Sequence, residues 1–292
     1  MRQILLAVTC ILGMLFSPSF IFNAKAQEPA KKLPTDNELL ALVNKYVHTP
    51  VKKTVTANGD VFLQRDLTAY LSSNVFKAPP VKAAEADHGH DHKDDMLRTF
   101  LNRPQPSVAT MEKYFREAAT EFSVPESILK ASAQVQSNWA QVSESIYGSW
   151  GVMGLIENRF TQQVTKAASL LSVRVDDIKN DARTNIRAAA ALLAHYQKGK
   201  PVTTSVEDWF ESVKDLTVLW DESLANDLAL RIYEVMNAGS KTVSLWGEII
   251  YLEPVGVSLP RAISESGRTT GDQRTSAVDY PNAVSNFTTC NY

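Results

Sequence analysis

The sequence predicts an all-α body over residues 105–255, with a small mixed appendage of helix and hairpin at 35–76. Three observations lead there. Between Ser107 and Met236, apolar residues return every three or four positions in one segment after another. Three of these segments open on residues that start helices: Ser107, Ser123 with Pro125, and Asp181. Strand-like pattern is confined to the edges: an alternation over 54–63 around Asn58-Gly59, and a β-branched apolar run at 243–252 that reads as extended.

Taken in order, the chain begins with Arg2, an apolar run over 4–16, and Ala24-Lys25-Ala26, a small-x-small cleavage site. Residues 1–26 read as a secretory signal peptide, with a retained anchor as the alternative, because the run is short for a membrane span. Thr35-Asp36-Asn37-Glu38 is a capping-box pattern before a stripe of Leu39, Leu40, Leu42, Val43, Tyr46 and Val47. Asn58-Gly59 marks a hairpin turn, and Asp66 caps a short helix through Leu71. The 35–76 appendage is expected to pack on the body or on a partner.

A linker over 77–104 follows, holding His88, His90 and His92 interleaved with aspartates. These are ligand types for weak zinc or nickel binding, while a solvated polar linker explains the same composition without metal. No other cofactor is expected.

Within the body, Ser107 caps a helix whose Met111, Tyr114, Phe115, Ala118, Ala119 and Phe122 share a face. A second helix is expected over 125–139. Ser123 serves as its cap and Pro125 sits in its first turn, where a missing N–H costs nothing. Ile128, Leu129, Ser132, Val135 and Trp139 form its inner face, and Gln136 lies in its last turn. A serine-rich loop over 140–151 contains one acid, Glu144. Residues 151–156 read as a tight turn leading to a helix over 160–171. Asp181 precedes an alanine-rich helix containing Asn185 and Ile186, where small side chains let neighbours approach closely. His195, after this helix, reads as structural. Two further amphipathic helices follow, one with Trp209, Phe210, Val213, Leu216 and Trp220, the other with Leu224, Leu228, Ile232, Val235 and Met236. Residues 256–292 read as a polar tail.

The chain has 292 residues and a net charge of −2, so nothing points to nucleic acid. Removing 1–26 takes away Cys10 and leaves Cys290, an unmatched thiol or half of an external disulfide. Oligomeric state is not indicated.

The passage 123–155 supplies "V-P-x-x-x-L", then Ser137-x-Trp139, then Gly151-x-Met153-x-Leu155. It resembles the lysozyme-like domain of soluble lytic transglycosylases, and Asp181 to Leu193 resembles that family's "N-I" helix. With "D-Y-P-x-A" at 279–283 and "N-Y" at 291–292, the order of motifs is similar to the N-terminal module of bacterial N-acetylmuramoyl-L-alanine amidases. The zinc ligands of the amidase domain itself are not among these residues. The resemblance implies a helical, lysozyme-like fold with a cleft. It places Ser137, Trp139, Trp150, Gly151, Met153, Gly154 and Asn185 around that cleft as substrate-binding residues, Asn185 supporting the wall from behind unless it only bonds the backbone at its helix start, and it puts the catalytic glutamate at Gln136. Gly154 stands where the family has a cleft-facing Gln or His.

A glutamine accepts and donates hydrogen bonds but has no proton to give at neutral pH. Losing general acid catalysis removes about 10²–10⁴-fold in rate. The resulting expectation is an exported module in the bacterial envelope that binds peptidoglycan glycan strands without cutting them, alone or beside an amidase domain or another envelope protein. Two alternatives remain: an active cell-wall hydrolase using Glu144 or Glu157 as acid, and a protein-interaction scaffold.

Overall fold

The structure, a computed structural model, describes residues 33–46, 49–65, 103–144, 148–200 and 205–258. The segments expected to be a leader (1–26) and a helix after Asp66, the His88/His90/His92 tract and the residues beyond 258 lie outside the described residues. From residue 34 onward the described residues belong to one compact unit. It is helix-rich, with eight α-helices, a 3₁₀ turn and three small antiparallel sheets among the described residues.

α1 (Asp36–Tyr46) opens with the expected capping box: Thr35 N–H donates to Glu38 Oε2 at 2.7 Å, and Glu38 N–H to Thr35 Oγ1 at 3.3 Å. β1 (Val51–Val55) and β2 (Val61–Arg65) form the Asn-Gly hairpin, pairing Val51 with Arg65 and Val55 with Val61. β2 continues into the body by pairing with β3 (Gln105–Pro106). Asp60, in the hairpin turn, accepts from Lys113 Nζ (2.7 Å) and Tyr114 Oη (2.9 Å) on α2 (Val108–Phe122). Ser107 caps α2 by accepting from Thr110 N–H.

α3 (Glu126–Ser137) is two residues shorter at its end than its apolar pattern. Ser123 is not its cap. It closes α2 in the left-handed region (φ 54°), and Pro125 occupies the N-cap of α3. The chain then makes a loop, β4 (Ser149–Trp150), a turn, and β5 (Leu155–Ile156), followed by α4 (Gln163–Leu171). The turn at 151–154 therefore joins two short strands rather than leading to helix, and residues 160–162 precede α4. α5 (Val175–Asn180) and α6 (Ala182–Gln197) follow, the latter capped by Asp181 accepting from Thr184 N–H at 2.7 Å.

α6 is the axis of the molecule. Ala188, Ala189, Ala190, Leu192 and Leu193 are fully buried, and α2, α3, α4, α5 and α7 (Phe210–Leu216) all pack on it. Alanine suits the role, since it favours helix and lets several neighbours approach one backbone at once. α8 (Glu222–Ala238) lies against α3 and α7. Residues 243–252 are not one extended run. β6 (Ser240–Val243) and β7 (Ile249–Leu252) form a hairpin whose turn is closed by Gly247 N–H donating to Ser244 O at 2.9 Å.

A second apolar cluster joins the two ends of the described chain. Leu39 and Val43 of α1 and Leu63 of β2 meet Ala140, Val243, Leu245 and Trp246. Lys241 reaches Asp36 at 2.6 Å across the same boundary. The N-terminal segment is thus seated on the C-terminal hairpin. Among the described residues, no helix is long and apolar enough to cross a membrane.

Candidate functional site

A cleft of about 1080 Å³ opens beside the C-terminal half of α3. Its floor includes Ser132 and Gln136, one wall is the β4–β5 turn with Met153 and Gly154, and the opposite wall is Val213, Leu216, Val218 and Ile232 from α7, the following loop and α8. The volume lies at the upper end of small-molecule sites, about 300–1,000 Å³.

The turn is held from behind by buried polar side chains. Asn185 on α6 is fully buried; its Oδ1 accepts from Met153 N–H at 2.8 Å, and its Nδ2 donates to Trp150 O (3.2 Å) and Ile178 O (3.1 Å). Gln141 Oε1 accepts from Val152 N–H at 3.1 Å, and Ser137 Oγ donates to Val152 O at 2.6 Å. Gly151 has φ 74°, and a Cβ there would lie 2.2 Å from Asn185 Nδ2, so only glycine fits. Asn185 and Gly151 shape the cleft wall without lining it.

Gln136 is exposed at the cleft, and its side chain makes no hydrogen bond among the described residues. Gly154 (φ 59°) faces it: a Cβ at 154 would meet Gln136 Cβ at 3.1 Å and Oε1 at 3.2 Å. Positions 136 and 154 are spatially coupled, because the Gln136 side chain fills the space a side chain at 154 would enter.

Of the remaining candidates, Met153 lines the cleft, whereas Ser137, Trp139 and Trp150 do not. Trp139 is a core residue, 4% exposed, with its ring 4.8 Å from that of Phe115 and its Nε1 donating to Lys130 O at 3.0 Å. Trp150 has Lys179 Nζ 4.3 Å above its ring. Glu144 is exposed and lines the cleft. Glu157 also lines it, but both carboxylate oxygens are engaged: Oε2 accepts from Thr165 N–H (2.9 Å) in the first turn of α4, and Oε1 from Thr165 Oγ1 (2.6 Å). That is the geometry of a helix cap.

Several cleft residues were hidden from sequence reasoning. Gln163 is buried and ties the two walls together, accepting from Ile156 N–H and donating to Leu216 O, each at 2.8 Å. Phe160 and Trp220, assigned by spacing to helices, are instead on loops at the cleft, 81% and 93% exposed. Asn158 fixes the first loop by accepting from Phe160 N–H and Thr161 N–H at 2.9 Å each. Val218 precedes Trp220 at φ 48°, a strained conformation for a β-branched residue. Asp221, which caps α8 by accepting from Leu224 N–H, was the available signal that Trp220 falls between helices.

Among the described residues, no group of three His, Cys, Asp or Glu side chains is placed to hold a metal ion. Comparisons with protein-family models, curated proteins and solved structures return no match.

Proposed function

We propose that the chain is an exported, lysozyme-like module of the bacterial envelope that holds peptidoglycan glycan strands in this cleft without cleaving them. The observation that carries the reading is Gln136, exposed at the cleft where the family resemblance expects the acid. Glycosidic cleavage requires a proton for the leaving oxygen, and a neutral amide has none to give. Glu157 is occupied as a cap. A carbohydrate ligand is supported by an apolar wall, neutral hydrogen-bonding groups and two exposed aromatic rings, in a cleft that also holds Glu144, Glu157 and Arg159, the last stacked 4.4 Å over Phe160. Exposed rings of this size are poor surface residues unless they receive a partner, and sugar C–H faces stack on them well.

Co-sedimentation with purified sacculi tests this. Wild-type protein pellets with the sacculi, and Trp220→Ala binds at least about fivefold more weakly. Wild-type protein left in the supernatant, under conditions where lysozyme pellets, would sink the reading. Glu144 is the one observation favouring an active hydrolase, since it lines the same cleft. Release of soluble muropeptides by the wild type, lost on Glu144→Gln, would establish that alternative.

A further inference from the structure

Among the described residues, two buried side-chain atoms on α3 have no partner: Gln134 Oε1, whose Nε2 is bonded to Asn138 and Thr242, and the hydroxyl of Ser132. A serine inside a helix ordinarily turns its hydroxyl back to the carbonyl four residues earlier. The hydroxyl of Thr120 does so on α2, donating to Arg116 O at 2.8 Å. Ser132 does not. It is 2% exposed, and its Oγ has no hydrogen-bond partner in the protein. Native proteins rarely leave a buried hydroxyl unpaired, because it has given up water for nothing.

Although its hydroxyl is closed to water in the free protein, Ser132 belongs to the cleft lining. Ser132 lines the cleft floor with Gln136, one helical turn away on the same face of α3. The two groups lie about 6 Å apart along the helix axis. Both are neutral, and both donate and accept. Opposite them, Val213, Leu216 and Ile232 make an apolar surface. Glu144, Glu157 and Arg159 line the cleft elsewhere, but Ser132 and Gln136 carry no charge, so at these two positions a hydroxyl or amide of a ligand is matched and a carboxylate or ammonium is not.

We propose that Ser132 is a ligand-binding residue whose hydroxyl, together with the Gln136 amide, hydrogen-bonds neutral substituents of a sugar seated in the cleft. This rests on reading the cleft as a glycan groove, and it assigns the floor of that groove to recognition of uncharged groups. The hydroxyl is kept for the ligand and contributes nothing to the fold of the free protein.

The test is a calorimetric titration of the full chain with a β-1,4-linked tetramer of N-acetylglucosamine, alongside thermal melting of the ligand-free protein. Ser132→Ala is expected to bind about 3- to 10-fold more weakly, the worth of one hydrogen bond, with a melting temperature equal to or above that of the wild type. Ser132→Cys, similar in size and only a weak hydrogen-bonding group, is expected to lose affinity in the same direction. Wild-type binding with both variants unchanged overturns the role of Ser132 and leaves the glycan reading standing. A loss of affinity that follows a lowered melting temperature also overturns it, since the hydroxyl would then be structural. Wild-type protein that binds neither the tetramer nor sacculi overturns both.

Discussion

Replacing Asn185 by alanine removes the side chain that holds the cleft turn to α6. Three hydrogen bonds disappear, to Met153 N–H, Trp150 O and Ile178 O, at a site with no exposed surface. A buried bond contributes about 1 kcal/mol net, and a partner left unsatisfied costs about 1–3 kcal/mol. The carbonyls find alternative donors more readily than the amide finds an acceptor, so the expected loss is about 3–5 kcal/mol. Against a total stability of about 5–15 kcal/mol, that is a large fraction. Gly151→Ala alone is expected to cost about 1–2 kcal/mol for the left-handed backbone, plus the collision with Asn185. In the Asn185→Ala background the collision is gone. The double variant should therefore be more stable than the sum of the singles predicts, by about 1–3 kcal/mol. Urea unfolding monitored by tryptophan fluorescence measures all three. An Asn185→Ala loss below about 1 kcal/mol, or additivity within about 0.5 kcal/mol, would refute the wedge-and-tie description of the turn.

Two further outcomes follow from the same geometry. The hydrogen bond from Lys113 holds the Asp60 carboxyl below the usual carboxylate range; burial opposes this and the bond from Tyr114 adds to it. A carboxyl lowered on folding stabilises the native state above its unfolded value of about 3.9, and that contribution is lost as pH falls through the lower folded value. Asp60→Asn should thus lower the melting temperature at pH 7, with the difference shrinking below about pH 4; a gap that persists unchanged at pH 2 contradicts the assignment. Gln136→Glu places a carboxyl at an exposed position, without the burial that tunes a general acid toward neutrality. It should release little or no soluble muropeptide at pH 7, and vigorous release would mean that only the acid was missing from a complete active site.

The helices that sequence patterning recovers best are those whose signals are local. α2 is delimited by Ser107 and an unbroken apolar face, α6 by Asp181 and its alanines, and the first hairpin by Asn58-Gly59. The cleft was harder to read because distant residues make it. β4 and β5 are two residues each, and the turn between them depends on Asn185, more than thirty positions away. Apolar spacing cannot distinguish a core ring from one projecting off a loop, which is why Phe160 and Trp220 were placed on helices. The reverse error befell Trp139, expected at the ligand and found in the core. Residues 243–252 carried enough β-branched character for strand, but Gly247 at φ 81° splits them into a hairpin.

Binding without cutting is tested most directly by incubating the wild-type chain with intact sacculi at neutral pH and measuring pelleted protein and soluble sugar in one tube. Most of the protein should pellet while soluble muropeptide stays at the level of a protein-free control. Protein that remains in solution, or soluble product that rises with incubation time, would contradict it.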